Sequence, residues 1–196
     1  MTTLYGPALN AAGTGTAPSN TTNHPLFGSG DRATKLNDGI VLAEDTATPI
    51  LGTSTRARIT CLFRLSEDIL DYDYLFGNLV SNGAGYYGWV VYRNILDTIT
   101  FVIRDDTTLV QLTTANGSVK TGQWTLLDAL IDTSQAVAAD SMSLFLNGSL
   151  SSSANASAIS TFDDDDDRFT IGSRPFPSTA SRGPFDIAWL RIHAAN

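Results

Sequence analysis

The sequence predicts an all-β protein, a two-sheet antiparallel jelly-roll sandwich, and three observations carry that prediction. The first is the kind of charge: nearly every acid is Asp, with Glu only at Glu44 and Glu67, and most bases are Arg. Asp competes for its own backbone and favours turns and caps, whereas Glu and Lys favour helix surfaces. The second is a succession of short segments rich in β-branched and aromatic residues, separated by Gly, Asn, Asp and Ser. Such spacing marks strands joined by tight turns. The third is the lack of intervening helical pattern, since only "SEDILDY" and "SQAVAAD" offer even a single helical turn. A parallel α/β sheet needs helices between its strands and is therefore set aside.

The bulk numbers bound the rest. A chain of 196 residues with 42% apolar composition can bury one sizeable core, so one folded domain is expected. A formal charge of -8 without a Lys/Arg cluster argues against nucleic acid or an anionic membrane as partner. No apolar run approaches the ~20 residues of a membrane helix. The start "MTTLYGPALNAAGTGTAPSN" has no charged stretch followed by an apolar one, so synthesis in the cytosol without a signal peptide is expected. Cys61 is the single cysteine, which excludes an internal disulfide. It alternates with apolar residues and reads as a small buried hydrophobe. The sequons at Asn20, Asn116, Asn147 and Asn155 read as chance products of a Ser/Thr/Asn-rich chain.

Taken in order, residues 1–34 read as an extended N-terminal arm and residues 35–196 as the folded domain. Between Asn10 and Asn23 the chain is Ala, Gly, Thr, Ser and Asn without periodicity, too polar to fold alone. Small apolar clusters flank it, "LYGPAL" with Leu4, Tyr5 and Leu9, and "HPLFG" with Leu26 and Phe27. Two readings stay open: a loose terminus, or an assembly arm whose apolar ends order on a neighbouring subunit. In "ARITCLFRL", Ala57, Ile59, Cys61, Phe63 and Leu65 form one apolar face while Arg58, Thr60 and Arg64 interrupt the other. The strands "DYLFGNLV", "YYGWVVYR", "DTITFVIR" and "TLVQLTT" follow, bounded by "SNGAG", "NILD" and "RDDTT". After them come "QWTLLDALID", "SMSLFLNGSL", "RFTIGS" and "GPFDIAWLRIHA", for about ten strands in all. Asn147-Gly148 predicts a two-residue hairpin, because a type I′ turn needs positive φ at both central positions.

The run "GQW" (Gly122 to Trp124), an apolar strand ending at Asp132, "LFLNG" (Leu144 to Gly148), "FTIGS" (Phe169 to Ser173) and "GPFDIAWLRI" (Gly183 to Ile192) resembles the C-terminal half of a concanavalin A-like, laminin-G-like jelly roll. The resemblance is specific over roughly residues 120–193, and it implies a last strand that returns beside the start of the domain. It is of the kind found on phage virion proteins. Because this fold hosts glucanases, lectins, adhesion modules and structural domains, the sites must decide the function.

Hydrolysis of β-glucans in this fold uses Glu, Asp and Glu alternating on one strand face, a pattern this chain lacks. Asp128 and Asp132 share a strand face, but Asp132 reads as a strand end and Asp128 as a partner of buried backbone. His24 and His193 stand in no triad, and no Gly-x-Ser-x-Gly elbow or phosphate loop occurs. The expectation is a non-enzyme. A sugar needs an aromatic platform with hydrogen-bonding neighbours. "NGAGYYGWVVYRN" supplies glycan-binding candidates Tyr87, Trp89, Tyr92, Arg93 and Asn82. Alternation puts Tyr87, Trp89 and Arg93 on one face and Tyr86, Gly88 and Tyr92 on the other, and either set could equally fill a core or an interface. The loop from Ser173 to Gly183, with Arg174, Phe176 and Arg182, is a second exposed candidate. The run Asp163 to Asp167 offers calcium ligands in Asp163, Asp165 and Asp167, against the reading of a solvated loop or a surface for a basic partner. No cofactor is otherwise expected.

Two functional readings lead, ahead of a third, a glycan-degrading enzyme with an unrecognised site. The first is a non-enzymatic virion structural protein, a phage capsid-decorating or fibre-associated subunit at the virion surface, anchored by its arm to a homo-oligomer and other virion proteins. The alternative is a carbohydrate-binding module or adhesin recognising host-surface glycans.

Overall fold

The computed structural model describes residues 10–12, 19–21, 33–36, 41–44, 51, 54–66, 72–78, 80–81, 86–105, 107–160, 169–172 and 185–195. The chain is a sandwich of two antiparallel sheets. Its strands are β1 (Asn10–Ala12), β2 (Ser19–Thr21), β3 (Ala33–Leu36), β4 (Val41–Glu44), β5 (Arg56–Leu65), β6 (Asp73–Gly77), β7 (Val80–Ser81), β8 (Tyr86–Arg93), β9 (Ile99–Arg104) and β10 (Leu109–Thr113). After β11 (Trp124–Asp132) a single helical turn, α1 (Ala138–Ser141), precedes β12 (Met142–Leu146), β13 (Ser149–Ala154), β14 (Phe169–Ile171) and β15 (Phe185–Ala195). Sheet I runs β1-β4-β14-β6-β8-β9-β10, with β7 on β8, and sheet II runs β13-β12-β11-β5-β15-β3-β2.

The closing strand β15 lies between β5 and β3, so the end of the chain pairs with the beginning of the domain. This is the topology the resemblance implied. Strands β1 and β2 fall inside the segment read as an arm; they sit at the outer ends of the two sheets. Leu4, Tyr5, Leu9, Leu26 and Phe27 lie outside the described residues, as do Asp163, Asp165, Asp167, Arg174, Phe176, Arg182 and "SEDILDY" apart from its two end residues, Ser66 and Tyr72.

Alternation builds the core. Ala57, Ile59, Cys61, Phe63 and Leu65 of β5 all point inward, as do Leu127, Ala129 and Ile131 of β11 and Met142, Leu144 and Leu146 of β12. From sheet I they meet Phe76, Trp89, Val91, Ile99, Phe101, Ile103, Leu112, Phe169 and Ile171. Each of the Leu, Ile, Val, Phe and Met side chains among them contributes about 1.5–3 kcal/mol of burial. Cys61 is wholly enclosed, and burial pushes its thiol pKa up, away from the reactive thiolate. At the β12–β13 turn Asn147 has φ 51° and Gly148 φ 81°, the predicted type I′ geometry. Asn147 also accepts a bond from Leu126 N through Oδ1 (2.9 Å) and donates its own N–H to Leu126 O, tying the turn to β11.

Candidate functional site

The residues singled out as a glycan platform are divided by β8 between the two faces of sheet I. Trp89 has no exposure and packs in the core against Phe76 (centroids 6.3 Å) and Phe169 (5.7 Å). Arg93 is also inward and 1% exposed, its guanidinium bonded to Asp97 and 3.7 Å from Asp73. Both are corrections: their phase of the strand faces the opposite sheet, so they cannot meet a ligand from solvent. Tyr87, half-buried, shares that phase. Tyr92 faces outward and packs between Tyr72 (edge-on, 5.6 Å) and Tyr74 (5.5 Å). Burial raises its phenol pKa, against the opposing effect of a hydrogen bond with Thr100. Asn82 lies outside the described residues.

The outward face of sheet II gathers a different set. β5 lies between β11 and β15, and their registers place outward residues in rows. Trp124, Arg64 and Asp186 form one row; Leu126, Leu62 and Trp189 the next; then Asp128, Thr60 and Arg191; then Leu130, Arg58 and His193. A β-bulge between Ile187 and Trp189 resets the phase of β15, so that Trp189, Arg191 and His193 keep facing outward beyond it. Arg58, Thr60, Leu126, Asp128, Trp189, Arg191 and His193 line an open depression of about 510 Å³.

Its polar groups are pre-set. Arg58 donates to Asp128 through Nε (2.9 Å to Oδ1) and Nη2 (2.6 Å to Oδ2), a bidentate pair that raises the arginine pKa through the hydrogen bond and then the charge of Asp128. The arginine side chain is still 57% exposed, so its remaining donor edge is within reach of a ligand. The Arg191 guanidinium lies 5.5 Å from the Trp189 ring centroid. His193 Nδ1 is enclosed without a hydrogen-bond partner. Among the described residues, no group of His, Cys, Asp and Glu is placed to hold a metal ion. No described helix is long and apolar enough to cross a membrane.

Asp128 binds Arg58 rather than buried backbone, which corrects the reading of its role. It does share a face with Asp132, which ends β11 and pairs with Arg56 at 2.9 Å. Trp189, Arg191 and His193 were overlooked as a site, although their spacing by two in "FDIAWLRIHA" was a usable signal.

The two sheets and their strand order are those of a concanavalin A-like jelly roll. A family profile described as the concanavalin A-like lectin/glucanases superfamily matches residues 63–195, and the chain belongs to that superfamily. No curated protein sequence matches it significantly. Among solved structures, the binding domain of botulinum neurotoxin serotype D aligns with TM-score 0.66 at 14% identity, over 96% of this chain and 44% of that one. The CBM40 domain of the Ruminococcus gnavus IT-sialidase, bound to α2,3-sialyllactose, aligns with TM-score 0.66 at 12% identity, over 84% of this chain and 91% of that domain. The leech intramolecular trans-sialidase, complexed with 2,7-anhydro-Neu5Ac, gives 0.59 at 16% identity over 83% and 26%. The chain thus spans less than half of the toxin domain and nearly the whole of the sialidase module. At these identities the likeness is one of fold.

Proposed function

We propose that this chain is a non-catalytic glycan-binding module that receives a sugar on the outward face of sheet II, over Trp189. The observation that carries the reading is the 510 Å³ depression, which sets an indole beside an exposed Arg–Asp pair and a second arginine. A pyranose has an apolar ring face and a rim of hydroxyls; the indole suits the first, and the charged groups suit the second. The likeness in fold to a sialidase carbohydrate-binding module supports the same reading, and sialylated glycans are the first to test. The carboxylates on this face, Asp128, Asp132 and Asp186, are each bound by an arginine, an arrangement suited to binding rather than to moving protons. The virion-subunit reading rests on the composition of the whole chain and on an arm whose apolar clusters lie outside the described residues, and the matches named above favour the glycan reading over it.

A glycan array probed with the full chain tests this. The expected result is a defined set of hits, weakened at least about tenfold by Trp189→Ala, which is about 1.4 kcal/mol of lost affinity. An array silent across sialylated, neutral and bacterial glycans contradicts the reading.

A further inference from the structure

We infer that the outward face of sheet II holds a second sugar subsite at Trp124, so that the ligand is an oligosaccharide laid across β11, β5 and β15 rather than a single sugar. The inference rests on the glycan reading and extends it. The chemistry at Trp189 is repeated at Trp124. There the Arg64 guanidinium lies 5.1 Å from the indole centroid, as Arg191 does at 5.5 Å from Trp189. Arg64 also binds a carboxylate, Asp186, as Arg58 binds Asp128. At Trp124 one arginine does both, lying near the ring and pairing with Asp186, whereas at Trp189 the ring cation is Arg191 and the pair is Arg58–Asp128.

A second observation points to a ligand at this position. Asp186 is 2% exposed and takes both Arg64 bonds on Oδ2, while Oδ1 is enclosed with no hydrogen-bond partner. An enclosed carboxylate oxygen without a donor is unfavourable, and a ligand that extends from Trp124 across Arg64 and displaces the cover over this oxygen supplies the missing donor.

The spacing fixes the class of ligand. Trp124 pairs with Arg64 and Trp189 with Leu62, on opposite sides of β5. Two strand spacings across and two residues along place their Cα atoms about 12 Å apart. One pyranose cannot lie on both rings, whereas a short linear oligosaccharide can. Between them Leu62, 2% exposed and on the outward phase, leaves an apolar floor with no charged side chain in its row.

The chain has three tryptophans, so its indole N–H resonances read the two subsites directly, with Trp89 in the core as the internal control. Full-length protein would be titrated with N-acetylneuraminic acid, α2,3-sialyllactose and a sialylated pentasaccharide, and with glucose, cellobiose and cellopentaose. In a series that binds, the monosaccharide is expected to move the Trp189 indole alone and the longer members to move Trp124 as well. Trp124→Ala is expected to weaken the pentasaccharide at least tenfold and the monosaccharide less than twofold. The indole shifts of the unmutated protein decide the matter even if that variant does not fold. A Trp124 resonance that stays still at every length while Trp189 moves overturns the second subsite and leaves the glycan reading standing. If neither indole responds to either series, both proposals fall together.

Discussion

The guanidinium of Arg93, 1% exposed, is held between Asp97, which it bonds, and Asp73, itself only 4% exposed. Removing one partner of a buried ion pair leaves the other charge enclosed without its counter-ion. Arg93→Met is therefore expected to destabilise the domain by about 3–5 kcal/mol in a urea titration, with little direct effect on the distant outward face of sheet II. Asp105 plays a comparable part through hydrogen bonds. Its burial alone would raise its pKa, but bonds from Ser160, Thr107 and Thr108 outweigh that and hold it down to about 2, from 3.8. Ser160 N (2.9 Å) and Oγ (3.1 Å) reach one carboxylate oxygen, while Thr107 N (2.9 Å) and Thr108 N (2.7 Å) reach the other. The carboxylate so ties the β9–β10 turn to the segment after β13. A depressed carboxyl pKa stabilises the fold above the unfolded value and loses that contribution as pH falls through the folded one. Asp105→Asn should thus lower stability by about 1–2 kcal/mol at pH 7, after allowance for solvent screening, and by only a small remainder at pH 2, where the folded carboxyl is about half protonated. A pH-independent difference in melting temperature between the two proteins would show the carboxylate's charge to be irrelevant.

At the scale of elements, the β6–β8 pairing depends on a glycine. Gly77 has φ 152°, and a Cβ there would sit 2.5 Å from Trp89 O and 2.7 Å from Val90 Cα. Backbone cannot yield as a side-chain tip can, so Gly77→Ala is expected to lose at least about 2 kcal/mol, measurable by thermal or chemical denaturation. An unchanged midpoint would mean that the two strands sit less closely than described. The same strands show what a sequence does and does not reveal. Alternation divided β8 correctly into two faces, and it placed Cys61 inside and Arg58 and Arg64 outside on β5. It could not say which face of β8 is the core, because both carry apolar residues; Val90 is 1% exposed although it points away from Trp89. Trp89 was for that reason as plausible a platform as Tyr92. The turn at Asn147-Gly148 was legible because its signal is wholly local.

For the molecule as a whole, the candidate site exists only by assembly. Arg58 and Asp128 are 70 residues apart, and Arg64 and Asp186 are 122 apart. β5, β11 and β15 each carry alternate polar residues that look like ordinary solvated strand faces. Their pairing in one register turns those faces into a surface with two tryptophans, four arginines and three aspartates. Outward phase could be read from the sequence; register across strands could not, since it follows from tertiary packing and from the bulge before Trp189. The fold then supplies a rigid platform, since the rings and ion pairs sit on strands rather than on loops.

The most direct test of this account is calorimetric titration of the full chain with α2,3-sialyllactose and with the strongest hit of a glycan array, for the unmutated protein and for Trp189→Ala. Saturable binding of at least one of them by the unmutated protein is expected, reduced at least about tenfold in a variant whose melting curve is still cooperative. Binding that is equally strong in Trp189→Ala would move the site away from sheet II. No binding by either protein would contradict the glycan-binding function itself.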